Sequence, residues 1–159
     1  RWRGLIAEVR GVYPGALTYS ANWDHYEPIA FWGALDHVGI SAYPALGEAR
    51  TVASMKRAWA PLRAQMEGFA RGVGKPLVLT EIGYPSHQAA AARPWDHTHR
   101  APLDLAAQRD CYAAFFEAWA GTDARIYLWN WFGRPGDRGY TPRGKPSEAV
   151  VRRWYDAPR

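Results

Sequence analysis

The sequence predicts an α/β fold with a parallel sheet: one helix, then four strand–helix units, half the number that closes an eight-fold α/β barrel. Three observations carry this reading. Short apolar runs alternate with longer segments whose apolar residues recur every three or four positions, the pattern of strands joined by right-handed helical crossovers. Each short run ends on polar or aromatic residues. One of them, in Lys75-Pro-Leu-Val-Leu-Thr-Glu81-Ile-Gly-Tyr84, ends on a carboxylate with a glycine-containing turn directly after it. Barrels of parallel strands place catalytic groups there, at the C-terminal strand ends.

Trp2, Leu5, Ile6, Val9 and Tyr13 have helical spacing, and Pro14-Gly15 ends that helix. Ala16 to Ala21 reads as the first strand, running into Asn22-Trp23. A helix or irregular segment is expected from Pro28 to Leu35, and His37 to Ala42 is the second strand, ending at Tyr43-Pro44. Val52, Met55, Trp59, Leu62, Met66 and Phe69 mark one face of a long helix closed by Gly72 and Gly74. Pro61 falls inside that pattern and predicts a kink or break.

Pro76 to Glu81 is the third strand. His87 to Pro102, rich in Ala, His, Arg and Pro, reads as a surface loop. Leu105, Gln108, Tyr112, Phe115, Phe116 and Trp119 build the next helix, with Gly121 after it. Arg125 to Trp131 is the fourth strand. Gly133 to Gly144, with four glycines and two prolines, is a loop. Pro146 suits the first turn of a last helix, whose inner face is Val150, Val151 and Trp154. No repeat, heptad or linker divides the chain, so residues 1–159 read as a single domain.

Bulk composition narrows the function classes. A chain of 159 residues that is 48% apolar, with nine Trp and nine Tyr, is a folded domain rather than a disordered segment. No run of about 18 apolar residues exists to span a membrane as a helix. There is no leading Met, charged n-region or h-region, but a signal lost upstream would leave no trace, so location is left unknown: a soluble protein, secreted or cytoplasmic. The net charge of +5 comes from arginines scattered along the chain, with three lysines. No basic block or nucleic-acid motif accompanies them, so neither nucleic acid nor membrane is an expected partner. Cys111 is the one cysteine, which excludes an intrachain disulfide.

The predicted strands end in Asn22-Trp23, Ser41-Ala-Tyr43, Thr80-Glu81 and Trp129-Asn-Trp131. Amides, hydroxyls, a carboxylate and aromatic faces therefore gather on one rim, which is the chemistry of a carbohydrate site. Aromatic rings cover the apolar face of a sugar, and polar groups bind its hydroxyls. Trp59, Trp119 and Trp154, at helical spacing, belong to the core. For Trp129 and Trp131 both a core and a site role stay open; they alternate across Asn130 and so share one side of their strand. Glu81 is either catalytic or a structural carboxylate paired with an arginine or capping a turn. A nucleophilic carboxylate needs a polar site that keeps it ionised, and Tyr43, from the neighbouring strand, is placed to donate a hydrogen bond to it.

Other chemistries lack their signatures. His97-Thr-His99 is an isolated HxH in a loop, and there is no HExxH, CxxC or EF-hand pattern. Gly133 to Gly139 lacks the GK[ST] of a phosphate loop, and no Ser lies in GxSxG. No metal and no cofactor are called for.

Taken together, Leu17-Thr-Tyr-Ser-Ala-Asn22-Trp23, Leu35-Asp36-His-Val-Gly39-Ile-Ser-Ala-Tyr43, Thr80-Glu-Ile-Gly-Tyr84 and Gly139-Tyr-Thr-Pro-Arg-Gly-Lys145-Pro146 resemble glycoside hydrolase family 113, bacterial β-mannanases of the retaining (β/α)8 clan. The leading helix fits as well, and the likeness runs over nearly the whole chain. It implies the C-terminal half of a (β/α)8 barrel: strands five to eight with their following helices, plus the helix before strand five. It implies that Glu81 is the nucleophile, that Tyr43 lies near it, and that Asn22, Trp23 and Trp129 or Trp131 line the sugar site, with Tyr84 and Gln108 as weaker members. The acid/base glutamate of this clan ends strand four, upstream of Arg1. Asp24 and Glu27 read as rim or cap residues, and Asp36 lies at the wrong end of its strand.

Two functional classes follow. One is a retaining hydrolase of β-1,4-mannan or manno-oligosaccharides, active in its full-length form, with the isolated chain inactive. The other is a non-catalytic half-barrel that binds a polysaccharide or oligosaccharide, or pairs with a partner through its exposed strand edges.

Overall fold

In the computed structural model, which describes residues 1–157, the chain runs α1 (Trp2–Val12), β1 (Ser20–Asn22), a 3₁₀ turn (Trp32–Ala34), β2 (Val38–Ser41), α2 (Val52–Val73), β3 (Leu77–Ile82), α3 (Leu105–Ala118), β4 (Arg125–Leu128) and α4 (Pro146–Asp156). The four strands form one sheet in the order β1-β2-β3-β4, and every pair is parallel. Parallel strands joined by helices put all four C-terminal ends on one rim.

The helices begin and end where their local chemistry satisfies free backbone groups. Thr51 and Ser54 cap the start of α2 reciprocally, and Asp104 accepts from the Ala107 N–H at 2.9 Å at the start of α3. Gly74 closes α2 at φ 73°, a left-handed conformation that costs a glycine little. The α3 helix lies between α2 and α4, so its apolar face is wide: Cys111, Tyr112, Ala114, Phe115 and Phe116 are all buried. Trp59 of α2 meets Phe115 and Trp119 edge-on at 5.3 and 6.2 Å, as expected for tryptophans at helical spacing. Phe116 stacks on Trp154 of α4 at 4.8 Å. The Cys111 thiol is buried, and burial pushes its pKa far up, so it is a core group and no nucleophile.

Four expectations from the sequence are corrected. Of the kink or break expected at Pro61, the break does not occur: α2 runs through it without interruption. A mid-helix proline costs about 3 kcal/mol, and the fully buried Trp59 and Met66 on either side hold the helix down. The first strand is shorter than Ala16 to Ala21. Before Ser20, bonds to one loop replace the ladder: Leu17 N–H donates to the Asp36 carboxylate at 2.7 Å, and Asp36 N–H donates back to Leu17 O at 2.9 Å. Arg10 completes this cluster with an ion pair to Asp36 at 2.6 Å. The fourth strand ends at Leu128, not Trp131, so the alternation assumed for Trp129 and Trp131 does not operate. The Trp129–Asn130 peptide is cis. Finally, His87 to Pro102 is not simply a surface loop, since His87, Ala90 and Ala91 are 2, 0 and 6% exposed.

No helix among the described residues is long and apolar enough to cross a membrane.

Candidate active site

The strand register brings the rim residues level with one another. Asn22 of β1 pairs with Ser41 of β2, and Ser41 pairs with Glu81 of β3. The ladder shifts between Ile40 and Ser41, an irregularity of the kind that re-aims side chains at strand ends. There Tyr43 Oη donates to Glu81 Oε2 at 3.0 Å. Burial first, and then the negative charge of Glu81, pushes the Tyr43 hydroxyl far above its ordinary pKa. Tyr43 is therefore a fixed donor at any physiological pH, and its ring meets Tyr140 edge-on at 6.4 Å.

The glycine after Glu81 has a steric cause. A Cβ at Gly83 would collide with the carbonyl oxygen of Trp129, and Trp129 N–H donates to Ile82 O at 2.8 Å. The turn after β3 is thus pressed against the end of β4, and only glycine fits. Trp129 and Trp131 stay 47 and 38% exposed. Asn22 is exposed and Trp23 half-buried.

Tyr84 does not join this rim. It is fully buried, its hydroxyl accepts from Trp59 Nε1 at 3.1 Å, and its ring packs edge-on against Tyr112 at 5.3 Å. A side chain already enclosed on all sides has no face left for a sugar, so the expected contact is replaced by a core role. Gln108, the weaker candidate, is buried too. Its Nε2 donates to Tyr84 O at 2.7 Å and Tyr140 O at 3.1 Å, and its Oε1 accepts from Ser147 Oγ at 2.7 Å. One amide thereby ties the turn after β3, the loop 133–144 and the first turn of α4 into a floor beneath the rim.

A second polar cluster holds the same loops. The buried Lys145 donates to Ser86 Oγ at 2.8 Å, Asp137 Oδ1 at 3.0 Å and Gly139 O at 3.0 Å. Burial raises the Asp137 carboxyl, but bonds from Lys145 and from the N–H groups of Arg134 and Gly139 outweigh it and leave the pKa lowered. Asp36 is lowered as well, first by the Leu17 N–H and then by Arg10. A carboxylate with a depressed folded-state pKa adds stability that is fully present above its unfolded value, about 4, and lost as the pH falls through the folded value. The melting temperature is therefore expected to hold between pH 7 and 5 and fall below about pH 4, with a shallower fall in Asp137→Asn. A scan flat down to pH 2 would contradict this.

Trp95 went unnoticed in the sequence. It sits in the loop after β3, 47% exposed, with its ring 6.3 Å from that of Trp23 and tilted by 36°. Its loop looked unstructured by composition, and only the long-range contact marks it. His87 and His99 come within 5.8 Å, but among the described residues no group of three or more His, Cys, Asp or Glu side chains is placed to hold a metal.

A sheet of four parallel strands, with helices on one side and a carboxylate among aromatic groups at its C-terminal rim, is half of a (β/α)8 barrel of the glycoside-hydrolase type. The chain belongs to Glycoside Hydrolase Family 113, whose sequence profile matches residues 1–144. Among solved structures, a GH113 β-1,4-mannanase in a complex superimposes with a TM-score of 0.86 at 27% identity, over 99% of this chain and 50% of that one. The GH113 β-mannanase AaManA from Alicyclobacillus acidocaldarius, in complex with ManMIm, gives 0.79 at 30% identity, over 98% of this chain and 50% of that one. A β-glucuronidase from Lactobacillus rhamnosus shares the fold alone, at 0.67 and 18% identity, over 99% of this chain and 29% of that one. This chain thus spans about half the length of the solved mannanases it matches. No curated protein matches it significantly.

Proposed function

We propose that this chain is the nucleophile-bearing half of a retaining hydrolase of β-1,4-mannan or manno-oligosaccharides. The observation that carries the reading is the Tyr43–Glu81 hydrogen bond at the C-terminal end of β3. A carboxylate at a barrel rim, gripped through one oxygen by a neutral donor, keeps its other oxygen for attack. In the double displacement, Glu81 attacks the anomeric carbon while an acid protonates the leaving glycosidic oxygen. The glycosyl-enzyme ester is then opened by water, deprotonated by the same acid/base group. Retaining geometry sets the two carboxyl groups about 5–5.5 Å apart. The second carboxyl belongs, on this reading, to the complete protein upstream of Arg1, so the isolated chain is expected to be inactive. Asn22, Trp23, Trp129 and Trp131 supply amide and aromatic contacts to the sugar. The test is reducing-sugar release from β-1,4-mannan by the complete protein, with and without Glu81→Ala. Release that persists in the variant, or is absent from a folded wild type, overturns the reading.

Tyr43 acts in this scheme as a positioning residue. Tyr43→Phe keeps the ring and removes the donor, and a hydrogen bond to a charged group contributes about 1.5–3 kcal/mol. The complete protein is therefore expected to lose about 10- to 100-fold in kcat with KM little changed, as steady-state kinetics on mannan would show. A change confined to KM would assign Tyr43 to substrate binding instead.

A further inference from the structure

We propose that Tyr140 is a second positioning residue for the nucleophile: its ring braces the Tyr43 side chain and the turn after Glu81, and so fixes the direction in which Glu81 presents its free oxygen. The proposal rests on the retaining-hydrolase reading above and adds to it the group that holds the Tyr43–Glu81 bond in place.

Tyr43 lies two residues past the end of β2. Backbone pairing with β3 continues as far as Ala42, whose N–H donates to Glu81 O at 2.7 Å. Beyond that point side-chain contacts must hold the phenol. One is the bond to Glu81 itself. The other is the Tyr140 ring, edge-on at 6.4 Å with the planes 89° apart, an arrangement that the charge distribution of aromatic rings favours. The same ring lies against Gly83, where a Cβ would come within 3.1 Å of Tyr140 Cδ1. From the loop 133–144, Tyr140 therefore presses on both Tyr43 and the turn that follows Glu81.

Tyr140 is itself held from several directions. Its Oη donates to Pro94 O at 2.7 Å, and its carbonyl accepts from the buried Gln108 at 3.1 Å. On one side, Gly139 O accepts from Lys145 Nζ at 3.0 Å and from Ser86 Oγ at 3.1 Å. On the other, Thr141 Oγ1 donates to Trp131 O at 2.8 Å. Burial pushes the Tyr140 hydroxyl up to about 12, so it stays a donor to Pro94 at neutral pH. A ring anchored in this way limits the rotamers open to Tyr43. Such restriction matters at a reacting group, because a misplacement of about 1 Å can cost about 100-fold in rate.

The test is a double-mutant cycle between Tyr140 and Tyr43 in the complete protein, read by steady-state kinetics on β-1,4-mannan, with thermal melts to show that each variant is folded. Tyr140→Leu is expected to lower kcat about 3- to 10-fold with KM little changed, and Tyr140→Phe, which keeps the ring, restores most of the loss. In the Tyr43→Phe background, Tyr140→Leu is expected to add less than about a twofold loss, because the bond it supports is already gone. A purely structural role would lower kcat equally in both backgrounds. If Tyr140→Leu does not fold, Tyr140→Met, which fills the space without an aromatic edge, takes its place in the cycle. Losses that multiply, a change confined to KM, no loss at all, or a Tyr140→Phe protein as slow as Tyr140→Leu each overturn the bracing role and leave the mannan reading intact. A folded wild-type protein that releases no sugar overturns both.

Discussion

Replacing Glu81 by Gln in the complete protein is expected to reduce mannan hydrolysis by at least about 1000-fold, nearly all of it in kcat. The substitution is close to isosteric. The amide oxygen still accepts the bond that Tyr43 now gives Glu81 at 3.0 Å, so the rim should keep its shape and the substrate its affinity. What disappears is the oxygen that, on the proposed mechanism, forms the ester. Without it neither the first displacement nor the intermediate exists, and no neighbour replaces it: Tyr43 is held protonated by burial and by Glu81 itself. Glu81→Ala adds a diagnostic that a structural carboxylate would fail. The vacated space admits a small anion such as azide, which attacks the anomeric carbon directly and yields the α-glycosyl azide. Activity regained with azide identifies the nucleophile, and a folded Glu81→Gln protein that still hydrolyses mannan removes Glu81 from the reaction.

Gln108→Ala carries the largest expected cost in stability. The side chain is fully buried. Its amide serves the carbonyls of Tyr84 and Tyr140 and the hydroxyl of Ser147. Each buried polar group left without its partner costs about 1–3 kcal/mol, and a cavity adds to this. A loss of about 3–5 kcal/mol is therefore expected, a large part of a typical domain's 5–15 kcal/mol. Gln108→Glu tests the same point with nearly the same volume, because a carboxylate cannot donate to the two carbonyls. Denaturant unfolding of the complete protein reads the effect. A loss below about 1 kcal/mol would mean that water or a relaxed loop takes over the three partners.

Much of this protein is legible without coordinates. The alternation of apolar runs and helical faces is a local property of the chain, and it gave four parallel strands in chain order with helices between them. The place of Glu81 at the C-terminal end of β3 was legible because a carboxylate closing an apolar run before a glycine is also a local pattern. Errors arose where a distant partner overrules local preference. Pro61 breaks helices by itself, but the packing of Trp59 and Met66 keeps α2 whole. Tyr84 looked like a rim residue because it follows Glu81 closely, yet its side chain is buried in the core against Tyr112. Trp131 looked like a strand residue because its neighbours are apolar, yet β4 stops at Leu128.

The sequence by itself determined the class of fold, the order of its elements and the position of the one carboxylate at a strand end, since these depend on residues a few places apart. Tertiary structure alone decided which aromatic rings face the rim and which fill the core. It also decided that the loop carrying Trp95 is anchored and brings that ring to Trp23, 72 positions earlier in the chain. The physical reason is that periodicity reports which face of an element is apolar, whereas burial and hydrogen-bond satisfaction depend on what another element brings against that face.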